Sequence, residues 1–232
     1  MEIKGVAFDL DGTLYPDRRL RKMIIPQILK NLRFVISFGK ARTIIRKEQE
    51  KWVNTNCIPG DFYLYQAEIT GKILKKSNEP PEILKDEIDQ RIYKTLEPFF
   101  KNVKLYSGVK ETLAALKEKG YKLGLLSDFP PETKLKNLEL SGIWDAVLCS
   151  EQCGVLKPHP LPFLKLAEMM SLPPENILYV GNRHSYDVTG ANKIGMKTAL
   201  IKRGLSFGRK KTPAPDFLFS DYRQFNKFVI PS

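Results

Sequence analysis

Val6-Ala7-Phe8-Asp9-Leu10-Asp11-Gly12-Thr13-Leu14-Tyr15 is the stretch that decides the fold. A short apolar run that stops abruptly on a carboxylate is the pattern of a buried parallel strand with function at its C-terminal end. Asp9 and Asp11 are two apart, so while strand geometry persists their side chains point to the same side. Like charges that close do not both stay ionised cheaply, so the pair either binds a cation or divides into one nucleophile and one acid. Gly12 lets the backbone turn close to a ligand. A turn that merely caps the next element is the structural alternative.

Outward from this stretch, the same pattern repeats. Leu123 to Leu126 runs into Ser127, Ala146 to Leu148 into Cys149-Ser150, and Ile177 to Val180 into Gly181. Thr198 to Ile201 makes a fifth strand and Phe217 to Phe219 a sixth. Helical spacing lies between them: Gly108 to Lys119 with Gly120 past its end, Leu161 to Met170, and Tyr186 to Ile194 stopped by Gly195. Strands alternating with helices predict an α/β fold, a doubly wound Rossmann-like parallel sheet, with ligands outside the carboxyl ends of its strands.

From about Pro16 to Phe100 no strand is expected. Ile44, Glu48 and Trp52 recur at four-residue steps, and Leu84, Ile88, Ile92 and Leu96 form an apolar stripe. The expected organisation is therefore a core of residues 1–15 and 101–232 with an all-helical insertion at 16–100. Gly204 to Pro215 is the one linker-like stretch.

The 232 residues are 42% hydrophobic, enough for a core, and carry a formal charge of +12. Arg18 to Lys51 contributes +9 of it and Lys202 to Lys211 another +5, leaving the rest close to neutral. Such patches suit an anionic partner or a solvated surface equally well. Three Cys (Cys57, Cys149, Cys153) without recurrent spacing exclude a disulfide scaffold and suit a reducing cytoplasm. No run approaches the ~18 uncharged apolar residues of a membrane span, and the first residues lack a signal-peptide pattern, so a soluble cytoplasmic protein is expected. Oligomeric state is left open.

The full string Asp9-Leu10-Asp11-Gly12-Thr13-Leu14-Tyr15 resembles the first signature of the haloacid dehalogenase superfamily. Three further signatures follow in order. Ser127 fits the second, Lys157 in Val155-Leu156-Lys157-Pro158 the third, and the stretch from Val180 to Met196 resembles the fourth. The insertion falls where that family places a helical cap. The resemblance implies a Mg2+-dependent phosphatase acting on a small phosphorylated metabolite. Asp9 would be the nucleophile that forms an aspartyl-phosphate, Asp11 the general acid and base, and Lys157 the neutralising ammonium. Ser127, with Asp128 and Thr13, would bind substrate. Asp9, Asp11 through its carbonyl, Asp187 and Asn182 would hold Mg2+. Asn182 stands where most members have Asp, which predicts weaker metal binding because hard dications prefer charged oxygen, with Asp128 a candidate for compensating charge. Asp11 favours phosphoryl over carbon–halogen chemistry. The alternatives are a weak or inactive relative that binds an anionic ligand or partner, and a phosphomutase.

Other features carry less. His159, between two prolines, is expected to fill a loop, and His184 to stay off the site. Cys149 and Cys153 are a poor zinc signal without a second pair. Met23 to Phe38 mixes apolar bulk with Lys30 and Arg33; packing within the insertion is favoured over contact with an anionic membrane. The basic residues Arg18, Arg19, Arg21, Lys22, Arg42, Arg46 and Lys47 suggest steering of an anionic substrate. No nucleic-acid module is found.

Overall fold

In the computed structural model, which describes residues 2–53, 58–202 and 212–229, six parallel strands form one sheet. Cys57, Arg203 to Lys211 of the second basic cluster, and most of the linker-like stretch lie outside the described residues, as does the side chain of Arg19.

Strand β1 (Gly5–Phe8) leads into an insertion whose described residues include the α-helices α1 (Asp17–Lys30), α2 (Leu32–Trp52), α3 (Phe62–Leu74), α4 (Pro81–Ile88) and α5 (Thr95–Phe100). The core resumes with α6 (Val109–Glu118), β2 (Lys122–Ser127), α7 (Glu132–Asn137) and β3 (Ala146–Cys149). It continues through α8 (Pro160–Met169), β4 (Ile177–Gly181), α9 (Thr189–Asn192), β5 (Lys197–Ile201), β6 (Phe217–Phe219) and α10 (Tyr222–Val229). The strand order is β3-β2-β1-β4-β5-β6, so the chain builds outward from β1 in both directions and the crevice of the doubly wound sheet opens beside β1.

Each of the six predicted strands is present. Alternation divides their side chains between two layers: Val6 and Phe8 pack with Leu123, Leu125, Leu178 and Val180, while Ala7 packs with Leu126, Ile177 and Tyr179 on the opposite face. Phe8 stands in register between Leu125 of β2 and Val180 of β4, so the chain leaves the sheet at Asp9 beside the ends of both neighbours.

The described residues of the insertion form helices and their connecting turns, with no strand among them. Asp61 caps α3 by accepting from the Tyr63 and Leu64 N–H groups at 2.8 and 3.0 Å, and Pro81 opens α4 where no intrahelical donor is needed. Phe34, Phe38, Ala67, Leu74, Leu84, Ile88 and Ile92 form its main apolar cluster. The four-residue stripe is real, but a π-helical segment, Asp89–Lys94, interrupts it. A strict repeat of four drifts by about 40° per step around a 3.6-residue helix, and the wider turn takes up part of that drift.

The helical spacing of Ile44, Glu48 and Trp52 falls within α2, whose buried face is Phe34, Ser37, Phe38, Ala41, Arg42, Ile45 and Gln49, one position off those residues. One expectation needs correction. The Met23 to Phe38 stretch is divided: Ile24, Phe34 and Phe38 are buried, whereas Ile25, Leu29, Leu32 and Ile36 are exposed. No described helix is long and apolar enough to cross a membrane.

Candidate active site

The C-terminal ends of β1, β2 and β4 bring Asp9, Ser127 and Gly181 together, and Asp9 lines a cavity of about 530 Å3 with Asp11, Asp128, Lys157, Asn182 and Asp187. Asp9 is almost fully buried. Its Oδ2 accepts from the Thr13 hydroxyl at 2.7 Å and its Oδ1 from Lys157 Nζ at 2.7 Å. The same ammonium donates to Asp187 Oδ1 at 2.7 Å and to the Tyr179 hydroxyl at 3.2 Å. Burial pushes the Asp9 carboxyl up to about 7, with Asp187 and Asp11 adding to the rise and Lys157 opposing it. Burial disfavours the Lys157 charge, but Asp187 and Asp9 overcome it and hold the ammonium well above its usual range.

Gly12 is obligatory in the turn after Asp11. Its φ of +87° is left-handed, and a Cβ there would meet the Asn182 amide nitrogen at 2.0 Å. Gly181 is equally constrained by packing, since a Cβ would lie 2.3 Å from that of Asp187.

Asp11 is held by residues that no local sequence signal announced. Lys134 Nζ, from α7, donates to its two carboxylate oxygens at 2.8 and 2.6 Å, and the Tyr15 hydroxyl donates to Oδ1. Lys134 is buried, with its ammonium 5.1 Å from the Phe100 ring centre and 5.5 Å from that of Phe129. Only the pairing across 123 residues reveals it.

Asp187 sits in a π-helical turn, His184–Val188, where the spacing predicted one continuous helix from Tyr186. Its Oδ2 accepts from the backbone N–H groups of Asn182 at 3.1 Å and Arg183 at 2.8 Å, which fixes the carboxylate toward β1. The Asn182 amide nitrogen donates to the Asp11 main-chain carbonyl at 3.1 Å. The donors gathered here, Asp9, Asp187 and the Asp11 carbonyl, are all oxygen, the chemistry a Mg2+ ion requires. Two buried carboxylates also share a single ammonium, so a dication suits the charge balance and reverses the upward push on Asp9. The residues therefore fit Mg2+. Among the described residues no group of three acidic, His or Cys side chains converges, so the main-chain carbonyl is essential to the set.

Ser127 is buried at the end of β2, its oxygen accepting from the Phe129 N–H at 3.2 Å, behind the Asp128 and Phe129 that line the cavity. Asp128 lines the cavity but does not reach Asn182. Its oxygens accept from the Ser150 hydroxyl at 2.6 Å, the Lys157 N–H at 3.1 Å and Arg46 at 2.7 Å. Burial raises its pKa, but Arg46, Lys157 and Arg42 together hold it well below the usual carboxylate range. Arg42 is buried and ion-paired to Glu151. Neither arginine is a free steering charge; both tie α2 to the core.

The histidines stay off the chemistry. His159 caps α8, its Nδ1 accepting from the Leu161 N–H at 3.2 Å, and His184 Nε2 lies 2.6 Å from the Pro213 carbonyl. Cys149 and Cys153 are buried free thiols.

The profile of the haloacid dehalogenase-like hydrolases matches residues 3–195. The chain belongs to that family. A glyceraldehyde 3-phosphate phosphatase from Methanopyrus kandleri is 31% identical over 87% of this chain and 85% of its own. A phosphoglycolate phosphatase from Shigella dysenteriae is 27% identical over 89% of this chain and 84% of its own. Among solved structures, the L-2-haloacid dehalogenase of Xanthobacter autotrophicus superposes with a TM-score of 0.67 at 20% identity, covering 98% of both chains, a likeness of fold alone. This haloacid dehalogenase-like hydrolase is an enzyme of the phosphatase kind, as its sequence relatives are.

Proposed function

We propose that the protein is a Mg2+-dependent phosphatase of small phosphorylated metabolites, working through an aspartyl-phosphate on Asp9, with glyceraldehyde 3-phosphate and phosphoglycolate the first substrates to try. The observation that carries the proposal is the division of labour between Asp9 and Asp11. Asp9 is buried on the Lys157 ammonium at the cavity floor, and Asp11 is held separately by Lys134 and Tyr15.

Phosphate monoesters hydrolyse very slowly unaided, so positioning and charge stabilisation must supply the acceleration. An Asp9 carboxylate oxygen attacks phosphorus, the bond from phosphorus to the ester oxygen breaks, and that oxygen takes a proton from the Asp11 carboxyl. Water then attacks phosphorus and gives its proton to Asp11, and the bond to Asp9 breaks to release phosphate. Lys157 neutralises the nucleophile and the phosphoryl group, while the Ser127 hydroxyl donates to a phosphoryl oxygen. Mg2+ held by Asp9, Asp187 and the Asp11 carbonyl, with Asn182 beside them, supplies further neutralisation of phosphoryl charge when bound. Leu20, Ile92, Leu96 and Phe100 give the cavity an apolar wall that limits water.

The test is phosphate release from p-nitrophenyl phosphate, glyceraldehyde 3-phosphate and phosphoglycolate, with and without Mg2+, beside Asp9→Asn. Release that needs both Mg2+ and Asp9 is expected. Release from none of them, or release that survives Asp9→Asn, overturns the proposal and leaves an anion-binding role for the fold.

A further inference from the structure

We infer that Lys134 is a positioning residue for Asp11, fixing its carboxyl for proton transfer at the leaving-group oxygen; the inference rests on the phosphatase reading above. Asp9 and Asp11 are two residues apart, and their carboxylates are divided between two ammonium groups. Lys157 takes Asp9 together with Asp187, and Lys134 takes both oxygens of Asp11. A lysine engaging both oxygens, with a phenol on one of them, removes the rotational freedom that an aspartate has in water.

The surroundings of Lys134 support this role over a merely stabilising one. An ion pair in open solvent contributes about 0–1 kcal/mol, and a long flexible side chain gives up rotamer entropy to make it. Lys134 is nevertheless buried, on a helix of six residues, with its ammonium near the rings of Phe100 from the insertion and Phe129 from the core. The two rings leave Asp11 as its carboxylate partner and place that pair on the cavity wall.

Positioning matters at this step because a displacement of about 1 Å in a reacting group can cost about a hundredfold in rate. When the ester bond breaks, the proton passes from the Asp11 carboxyl to the departing oxygen. The resulting carboxylate rests against Lys134 and Tyr15. It stays in place to take the proton of the attacking water in the second half. Lys134 itself gains and loses nothing.

Two substrates that differ in leaving group separate this role from a structural one. p-Nitrophenolate departs without protonation, whereas the alkoxide of phosphoglycolate does not. Lys134→Met is expected to lower kcat/KM on phosphoglycolate by about a hundredfold and kcat/KM on p-nitrophenyl phosphate, which reports only the first half and needs no acid there, by less than about threefold. Lys134→Arg, which keeps a cation at the site, should recover part of the loss. In an Asp11→Asn background, Lys134→Met should cost less than about twofold more, since both substitutions disable one device. A crystal structure of metal-free Lys134→Met should show the Asp11 carboxyl turned from its present position.

Equal losses on the two substrates, a rise confined to KM, or a full further loss on top of Asp11→Asn overturns the inference. Should Lys134→Met fail to fold, Lys134→Arg beside Tyr15→Phe applies the same leaving-group comparison. The phosphatase reading fails separately: a wild-type protein with no Asp9-dependent release from p-nitrophenyl phosphate, glyceraldehyde 3-phosphate or phosphoglycolate removes that reading and this inference with it. An active wild type with uniform losses removes only the role given to Lys134.

Discussion

The Arg46 guanidinium lies 2.7 Å from the Asp128 carboxylate, joining α2 of the insertion to the residue that follows β2. Four residues earlier, Arg42 pairs with Glu151, and three residues later the Gln49 side chain exchanges hydrogen bonds with the Leu156 backbone at 2.6 and 2.9 Å. One helical face therefore seats the insertion over the site. Arg42 and Glu151 are both buried, so removing one partner strands a charge. Arg42→Met should destabilise the protein by about 3 kcal/mol in urea titrations, and the double variant Arg42→Met, Glu151→Leu should regain most of that. Additive losses would mean that the pair is not what seats α2.

Asn182 donates its amide proton to the Asp11 carbonyl. Replacing that donor with a carboxylate sets two acceptors against each other when no metal is bound and adds a charged oxygen when one is. Asn182→Asp should lose about 1 kcal/mol of metal-free stability, the contribution of one hydrogen bond. Its Mg2+ affinity by calorimetry should rise about tenfold. Unchanged or weaker binding would place residue 182 outside the ligand set.

The strands were legible because each is a short apolar run that ends on a polar residue, and hydrophobicity alone reports that. Asp9, Lys157 and Asp187 were legible through the motif, and the structure brings the two carboxylates onto the Lys157 ammonium. Lys134 and Tyr15 were not, since a lysine on a short polar helix looks like any solvated lysine until the fold closes 123 residues of chain. Arg42 and Arg46 misled for a related reason. Charge counts describe how much charge a segment carries, whereas their role depends on which face of α2 meets Asp128 and Glu151. The π-helical turn before α9 escaped notice because its cause, the backbone donors on Asp187, is set by position and not by periodicity.

Any steering by the basic segment rests on its exposed cations. Arg18, Arg21, Lys22, Lys30, Arg33, Lys40 and Lys47 are exposed, and no acidic residue occurs between positions 18 and 47. Raising KCl from about 10 to about 100 mM shortens the screening length from about 30 to about 10 Å. Over that range kcat/KM for a dianionic phosphate ester should fall by about threefold, and the slope should flatten in Lys22→Glu, Lys40→Glu, Lys47→Glu. A salt response that is flat in the wild type would show that these charges serve solubility alone.

His159 contributes to the loss of stability in acid. Its Nδ1 is the acceptor that caps α8, and burial, reinforced by Lys193, holds its pKa down to about 4 from the ordinary 6.5. Between those two pH values the unfolded chain binds a proton that the native protein refuses, so the unfolded state is favoured as pH falls. The contribution is complete above about pH 6.5 and is lost progressively down to about pH 4, below which both states are protonated and nothing more is lost. Asn at this position accepts the same backbone bond without titrating. His159→Asn should match the wild type within about 1 kcal/mol at pH 7.5, and its loss of stability between pH 7.5 and 4 should be smaller by about 1 kcal/mol, the value of one cap. Carboxylates such as Asp128 contribute to acid loss in both proteins, so curves that fall in parallel would assign the whole effect to them and none to the cap.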